Sequence, residues 1–316
     1  MEDYPRTLAE FEARFNTDEA CRRYLAELRW PDGFTCLRCG GRKAWTTGRG
    51  LWVCPACGHQ TSVTAGTVFQ DTRRPLTMWF RAIWWVTNQK TGASALGLQR
   101  LLGLGSYETA WTWLHKLRRA MVRPGRDRLS GRVEVDDTYI GGVNEGGVPG
   151  RHKGSKSLVV VAAEEDGRGL GRIRMKRVAD ASWTSLGDFV VEAVEPGSVV
   201  HTDDWSGYHR LETQGYPHEV TRLAGHPESA EVLLPRVHRV VSLLKRWLLG
   251  THHGAVSDAH LDYYLDEFTF RFNRRTSSHR GKLFYRLVQQ AVALGPTPYR
   301  QMVKHARGRK RDHHNL

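Results

Sequence analysis

The C-terminal part of this 316-residue sequence predicts an α/β domain. Three features of the residues from 131 onward indicate it. Apolar and polar residues alternate in short strand-like runs, an amphipathic helix interrupts these runs, and a long helix with an apolar stripe follows the last of them. Because the chain exceeds the usual size of one domain, we expect further domains before residue 131.

The order of the predicted elements narrows the fold class. They are strands at 132–136, 157–163 and 171–178, a helix at 182–194, a strand at 198–203, and helices near 236–249, 258–274 and 282–293. Three strands with a hairpin, a helix, a strand that ends in Asp and a late helix are the order of a ribonuclease H-like domain. We therefore predict an α/β ribonuclease H-like catalytic domain over residues 131–295.

The remaining chain divides by composition into four further segments. Residues 1–30 are predicted to be a helical segment, and residues 31–70 combine cysteine pairs with glycine-rich connections. Residues 75–125 have the periodicity of three helices. Residues 296–316 form a basic tail containing KHARGRKR, which we expect to add nonspecific affinity for DNA.

Four of the five cysteines occur as two CxxC pairs, Cys36 with Cys39 and Cys54 with Cys57. Each pair can offer two thiolates to one tetrahedral Zn²⁺ from a tight turn. The spacing therefore predicts a zinc ribbon that holds one structural Zn²⁺ per chain. A redox CxxC pair and chance spacing are the alternatives. Cys21 lies outside the pattern and is expected in a core.

The segment 75–125 has a helix-turn-helix pattern. A helix at 93–102 is joined by Leu104-Gly105-Ser106 to a helix at about 107–121. A plain helical hairpin is the alternative, but basic residues on the last helix favour DNA binding. The predicted DNA contacts on that helix are Thr112, Lys116, Arg118 and Arg119.

The charge balance also favours nucleic acid as the partner. Lys and Arg number 47 against 33 Asp and Glu, a formal net charge of +14. Cations set against phosphates release condensed counterions, although a basic chain can also be ribosomal or merely well solvated. No apolar run reaches the roughly 18 residues of a membrane span, and the charged N-terminus does not resemble a secretory signal. We expect a cytoplasmic protein without a membrane partner.

Two Asp residues stand at the ends of predicted strands, Asp136 in VEVDDTYIGG and Asp203 in VVHTDDWSGY. A carboxylate in that position can hold a divalent metal ion, and two such ions about 3.5–4 Å apart serve phosphoryl transfer. Each Asp could instead cap a turn. Asp137 and Asp204 are adjacent alternatives, but their side chains should point to the opposite face.

The late helix carries a further pair of polar residues. His238 and Lys245 are seven residues apart, so both lie on nearly the same side, beside an apolar stripe. One metal ligand and one cation two turns apart suit a site that holds metal and phosphate. A surface His and a solvated Lys are the alternative.

Several of these stretches resemble DDE-type bacterial insertion-sequence transposases that carry an N-terminal zinc ribbon. The resemblance spans roughly residues 10–290, and the stretches are RWPDGFTCLRCGG, SYETAWTWLHKLRRAM, VEVDDTYIGG, HTDDWSGY and SLLKRWLLGTHHGAVSDAHLDYYLDEFTFRFNRR. It implies catalytic positions at Asp136, Asp203 and His238, which would bind two Mg²⁺ or Mn²⁺ ions per site, followed by Lys245. The family often has Glu or Asn at the third position, so His marks an Asp-Asp-His-Lys variant. Relatives commonly have Glu where this chain has Asp137.

The resemblance also implies a function. A transposase would bind the terminal inverted repeats of its insertion sequence, cleave the DNA and join the freed end to target DNA. It would act on double-stranded DNA as a homodimer or higher oligomer, associated with the nucleoid when bound. The alternatives are a transposase-derived DNA-binding regulator without catalytic activity, a ribonuclease H-like nuclease without strand transfer, and a zinc-ribbon RNA-binding protein. Glu267 is a second candidate for the third ligand, unless it forms an ion pair with Arg271 or Arg274.

Overall fold

The computed structural model divides the chain into two compact units. The described residues are 2–123, 125–141, 156–222, 230–252 and 256–303. The first unit, which we call the split unit, combines Met1–Arg123 with Ser277–Leu316, and the second, the central unit, is Pro124–Thr276. The predicted basic tail segment KHARGRKR lies outside the described residues. Within the described residues, no helix is both long and apolar enough to cross a membrane.

The split unit contains six helices and three strands among its described residues. The helices are α1 (Leu8–Arg14), α2 (Asp18–Arg29), α3 (Leu76–Asn88), α4 (Ala95–Leu102), α5 (Tyr107–Arg119) and, from the far end of the chain, α10 (Arg280–Ala293). The strands are β1 (Trp45–Thr46), β2 (Leu51–Val53) and β3 (Gln60–Ser62), which form one antiparallel sheet.

The starts of several helices follow from their N-cap residues. A Ser or Thr side chain accepts a backbone N–H of the first turn at Thr7, Thr17, Ser94 and Ser182. Gly103 ends α4 in the left-handed conformation, with φ of 60°. The predicted helix-turn-helix segment is therefore two helices, α4 and α5, separated by a short glycine-containing turn.

The core of the split unit is an aromatic cluster centred on Phe284 of α10. Phe284 is fully buried. Five other rings lie with their centroids 5.4–6.3 Å from it, those of Phe11, Phe15, Tyr24, Phe80 and Trp84. These rings come from the first three helices and the turn after α1. The last helix is therefore an integral part of the unit formed by the first residues of the chain.

The first residues of the chain are held against the same helix. A Cβ at Gly281 would lie 1.6 Å from the carbonyl oxygen of Pro5, so only glycine allows this close approach. Glu2 forms ion pairs with Arg286 and, at 3.2 Å, with Lys282. The sequence predicted this helix as part of the catalytic domain, but it packs in the split unit.

The central unit is built on a five-stranded mixed sheet. Its strands are β4 (Arg132–Ile140), β5 (Ser157–Asp166), β6 (Gly169–Val178), β7 (Val199–Asp203) and β8 (His218–Thr221), in the order β6-β5-β4-β7-β8. The pairs among β4, β5 and β6 are antiparallel, whereas β4, β7 and β8 are parallel. The helices are α6 (Trp183–Ala193), α7 (Ala230–Leu233), α8 (Pro235–His252) and α9 (Leu261–Phe272).

This arrangement confirms the predicted ribonuclease H-like fold. One face of the sheet packs against α6 in a core that includes Val133 and Val135. The other face packs against α8 and α9 in a second core that includes Ile140 and Val161. Since side chains alternate along a strand, Glu134 and Asp136 lie on the face that carries α8 and α9. Strand β8 was not predicted, because its four residues HEVT include no buried apolar side chain.

The aromatic core leads to a prediction about Phe284. Replacing Phe284 by Ala removes the central ring and should cost about 3–5 kcal/mol in the stability of the split unit. Hydrogen exchange followed by mass spectrometry should show faster exchange in α2 and α3, with β5 of the central unit unchanged.

The matched control is Leu8→Ala, because Leu8 lies on α1 but is 54% exposed. We expect this variant to change stability by no more than about 0.5 kcal/mol. A loss of protection confined to α10 in Phe284→Ala would contradict the shared core.

Candidate functional site

Asp203 is the last residue of β7, as predicted, but β4 continues to Ile140, so Asp136 lies in the middle of its strand and the prediction that it ends the strand is wrong. The last residue pair between β4 and β7 is Glu134 with His201. Asp136 and Asp203 each lie two residues beyond that pair and therefore on the same face of the sheet. The parallel pairing thus places both acids on the face of the sheet that carries α8. Among the described residues, only the four paired cysteines form a group of three or more ligand side chains close enough to hold one metal ion.

His238 approaches this face of the sheet from the first turn of α8. Its Nε2 lies 3.6 Å from Oδ2 of Asp136, and the two side chains are 24% and 17% exposed. The other carboxylate oxygen of Asp136 accepts the N–H of Asp137 at 2.8 Å. An imidazole from a helix and a carboxylate from a strand therefore meet at a spacing suited to two ligands of one cation.

Lys245 adds a positive charge on the same helix. It is an exposed residue of α8, two turns after His238. Partial burial lowers the pKa of Lys245 and the charge of Lys156 lowers it further, whereas Asp136 raises it. Its place on α8, seven residues after His238, puts the two side chains on nearly the same side of the helix.

The adjacent acids have other partners. Asp204 pairs with Arg222 at 3.2 Å and with His209 at 3.5 Å. Asp203 instead accepts the N–H of Trp205 at 3.2 Å, which fixes the turn after β7. Of the two neighbouring carboxylates, Asp204 is therefore engaged in surface ion pairs.

Glu267 of α9 is the other candidate raised for the third ligand. Its side chain is 1% exposed and its Oε1 accepts two hydrogen bonds from Arg271, at 2.7 and 2.8 Å. This is the i, i+4 ion pair expected as the alternative to a ligand role. His238 is therefore the better candidate for the third position.

The four paired cysteines converge in the split unit. Their sulfur atoms all lie within 4.8 Å of one another. The distances are 3.7 Å from Cys36 to Cys57 and 3.6 Å from Cys39 to Cys54. Four thiolates at about 2.3 Å from a tetrahedral Zn²⁺ would be about 3.8 Å apart, so the cysteines fit a structural zinc ion.

The two cysteine turns have the same backbone geometry. The N–H of Gly40 donates to the carbonyl of Cys36, and that of Gly58 to the carbonyl of Cys54, each at 2.9 Å. A Cβ on Gly41 would lie 3.1 Å from the sulfur of Cys54. Glycine is therefore favoured where the backbone approaches the sulfur cluster.

The structure separates the four predicted DNA contacts on α5. Thr112, Lys116 and Arg119 are half-buried and reach the surface, and burial lowers the pKa of Lys116. Arg118 is only 2% exposed and donates to the carbonyl of Ala93 at 3.4 Å. The prediction that Arg118 contacts DNA is therefore withdrawn, because its buried guanidinium presents almost no surface to a phosphate.

The buried side of α5 carries apolar side chains. Trp113 stacks on Trp79 with 3.8 Å between ring centroids, and Leu117 is fully buried. Tyr107 is 54% exposed in the first turn of α5, and it was not among the predicted DNA contacts. Its position directly after the turn was the available signal, since the first residues of a recognition helix commonly contact base edges.

Sequence reasoning also gave no role to Glu134. The alternation of β4 placed it on the same face as Asp136, but glutamate in a strand usually faces solvent. In the structure its side chain is 1% exposed and accepts hydrogen bonds from the first turn of α8. The buried position of this charge could not be read from the strand pattern alone.

Two protein-family models match this chain, one within each unit. A family model described as an ISXO2-like transposase domain matches residues 128–273, and one described as a transposase zinc-ribbon domain matches residues 16–60. A relative from Halobacterium salinarum, described as an uncharacterized protein in transposable element ISH50, is 25% identical over 280 residues. That match covers 81% of this chain and 91% of the relative.

Two solved structures were also found among the structural matches. The catalytic core domain of BIV integrase has 15% sequence identity and a TM-score of 0.32, and the match covers 57% of this chain and 99% of that chain. A simian T-cell lymphotropic virus intasome in complex with PP2A regulatory subunit B56 gamma has 16% identity and a TM-score of 0.31, covering 61% and 70%.

The cysteine cluster predicts one tightly held Zn²⁺ per chain. Metal analysis of protein purified without added zinc should give about one equivalent. Cys54→Ser should lower this content and unfold the ribbon, because metal binding supplies much of the folding free energy of so small a module. Cys21→Ala is the control, since Cys21 is buried outside the cluster and should leave the zinc content unchanged. A folded wild-type chain without zinc would refute the assignment.

Proposed function

We propose that this chain, which belongs to the insertion-sequence transposases with an N-terminal zinc ribbon, binds the terminal inverted repeats of its element, cleaves the DNA and joins the freed end to target DNA. The observation that carries the proposal is the meeting of His238 with Asp136, 3.6 Å apart, on the face of the sheet where Asp203 also lies. Two carboxylates and an imidazole on the face of a ribonuclease H-like sheet that carries α8 suit metal-dependent phosphoryl transfer.

Asp136, Asp203 and His238 would hold the divalent cations. Carboxylate oxygens suit Mg²⁺ and Mn²⁺, and imidazole is a softer donor, so Mn²⁺ should support activity at least as well as Mg²⁺. When bound, the ions supply charge neutralisation and activation of the attacking oxygen. His238 must be neutral to act as a ligand, so protonation of its ring would compete with metal binding.

The chain's own cation, Lys245, would bind a non-bridging oxygen of the scissile phosphate. This lysine lies two turns after His238 on nearly the same side of α8, so it could stabilise negative charge that develops on a phosphate bound at the proposed site. Hydrolysis and strand transfer are both in-line displacements at phosphorus. One set of residues can therefore serve both steps.

The split unit is the proposed recognition unit. The zinc ribbon and α5 would bind the terminal repeats, with Thr112, Lys116 and Arg119 as the contacts that reach the surface. The net charge of +14 supports association with the DNA backbone. Because transposition joins two element ends, we propose a homodimer or higher oligomer on DNA.

The catalytic proposal predicts that metal-ligand variants bind but do not cut. Asp136→Asn, Asp203→Asn and His238→Ala should each lower the cleavage rate by more than the roughly 100-fold that loss of an outer-shell metal partner costs. Binding of terminal-repeat DNA, measured by fluorescence anisotropy, should stay near wild type. Cleavage and joining are measured on a supercoiled plasmid that carries the element ends, with Mg²⁺ or Mn²⁺.

Two further variants test the neighbouring carboxylate and the lysine. Asp137→Asn is the matched control, since this adjacent carboxylate belongs to the opposite face of β4. Lys245→Ala should lose cleavage while Mn²⁺ binding is retained. If wild-type protein binds but never cuts, the chain is a DNA-binding regulator, and if it cuts without joined products it is a nuclease. If His238→Ala cuts like wild type, the third ligand lies elsewhere.

The recognition proposal predicts a specific salt dependence. Replacing Arg119 by Ala should weaken binding to terminal-repeat and random DNA alike and reduce the slope of log affinity against log salt by about 1, as for loss of one phosphate contact. The measurement is an anisotropy titration of the full chain at several KCl concentrations. Arg119→Lys keeps the charge and should keep the slope. An unchanged slope in Arg119→Ala would remove this residue from the interface.

A further inference from the structure

The start of α8 is capped by a carboxylate from the sheet. Oε2 of Glu134 accepts the N–H of Arg236 at 2.7 Å and that of Val237 at 3.0 Å. Its other oxygen, Oε1, accepts a hydrogen bond from the Arg236 guanidinium at 2.9 Å. The glutamate side chain is 1% exposed, so both of its oxygens are used inside the protein.

The helix cannot provide this cap from its own sequence. The first N–H groups of a helix have no partner within it, and the residue before the first turn usually supplies a polar side chain. Here that residue is Leu234, whose carbonyl accepts the N–H of His238 at 3.3 Å but whose side chain has no polar atom. Pro235 needs no partner because it has no N–H. Glu134 therefore replaces the missing cap.

The cap lies directly beside the proposed metal site. Val237, whose N–H is held by Glu134, precedes His238, and Glu134 precedes Asp136 by two residues on the same face of β4. Two successive side chains on the same face of β4 therefore lie at the start of α8. Glu134 accepts the N–H groups of its first turn, and Asp136 lies beside the imidazole of His238. A hydrogen-bonded cap is directional, so it fixes the rotation and height of the first turn more tightly than apolar packing does.

A second set of contacts supports the same turn. Arg236 also pairs with Glu165 of β5 at 2.9 Å, and it donates to the carbonyl of Gly169 at 3.2 Å. Glu165 in turn pairs with Arg132 at 2.8 Å. The buried charge of Glu134 is thus balanced by a guanidinium and by the positive end of the helix dipole.

We propose that Glu134 is a positioning residue for the third metal ligand: by capping α8 it sets the place of His238 relative to Asp136. The inference rests on the proposed function, because it takes His238 as a ligand. Both oxygens of Glu134 accept hydrogen bonds from the start of α8, so the proposal gives Glu134 no direct contact with metal or DNA. Its effect should therefore appear in how tightly metal is bound.

The test compares Glu134→Ala with Glu134→Gln in the full chain. Loss of a residue that orients a metal ligand lowers metal affinity by about 10- to 100-fold. We expect Glu134→Ala to raise by that factor the Mn²⁺ concentration that half-saturates binding, measured by electron paramagnetic resonance of free Mn²⁺ without DNA. Plasmid cleavage should shift to higher Mn²⁺ in parallel. Glu134→Gln keeps an oxygen for the two N–H groups and should restore most of the affinity.

The matched control is Glu164→Ala. Glu164 also accepts hydrogen bonds from a backbone N–H, that of Ser130, and from an arginine, Arg172. It lies on β5 opposite Val133, whose side chain is on the face that packs against α6. A purely structural role of Glu134 would make the two Ala variants alike, with equal losses of stability and unchanged Mn²⁺ affinity. If Glu134→Ala does not fold, Glu134→Asp keeps the charge with a shorter reach, and the proposal requires it to weaken Mn²⁺ binding as well.

The outcomes separate this inference from the function it rests on. If His238→Ala weakens Mn²⁺ binding and the Glu134 variants do not, the positioning role is wrong and the ligand assignment stands. If His238→Ala leaves Mn²⁺ binding unchanged, the ligand assignment itself fails. If His238→Ala and Glu134→Ala both weaken binding, Glu134→Ala should add little in a His238→Ala background, because it acts only through the position of His238.

Discussion

The central unit depends on one parallel strand pairing, that of β4 with β7. Parallel neighbours cannot be joined by a tight turn, so the chain must leave the sheet and return through a crossover. Here the antiparallel strands β5 and β6 and the helix α6 form that connection. The last pair of this ladder, Glu134 with His201, lies two residues before Asp136 and Asp203, so the ladder places both acids on the same face. The backbone at each acid is then held by a different neighbour, since Asp136 pairs with Val161 of β5 and Asp203 with Thr221 of β8.

A side chain on a helix, such as that of His238, is not held in place by strand pairing. The third position of the site lies on α8, and packing of an apolar stripe alone allows a helix to slide or rotate by small amounts. The buried ion pairs around Arg236 restrict those movements at the end of the helix where His238 lies. The site therefore combines two means of alignment: main-chain pairing for the acids, and charged hydrogen bonds for the imidazole.

Patterns confined to one segment were read correctly from the sequence. The cysteine spacing and the helix boundaries of α4 and α5 depend on residues close together in the chain. What depended on distant partners was not foreseen. The apolar stripe of α10 showed which side is buried, but not that the aromatic partners of Phe284 lie in the first helices. The role of Glu134 depends on Arg236 in the first turn of α8, 102 residues later. Arg118 follows Leu114 by one turn on the buried side of α5, a periodicity that outweighs its charge.

The composition of the split unit determines when, during synthesis, this unit can finish folding. Synthesis proceeds from the N-terminus, and domains generally fold as they emerge from the ribosome. The aromatic core of this unit lacks its central ring until α10 has been made, after the whole central unit. A nascent chain, or one released early at a premature stop codon, therefore cannot complete the unit that we propose to recognise DNA ends. Under the proposed function, recognition of DNA ends requires α10 to have been made, so products truncated before α10 would not occupy the element ends.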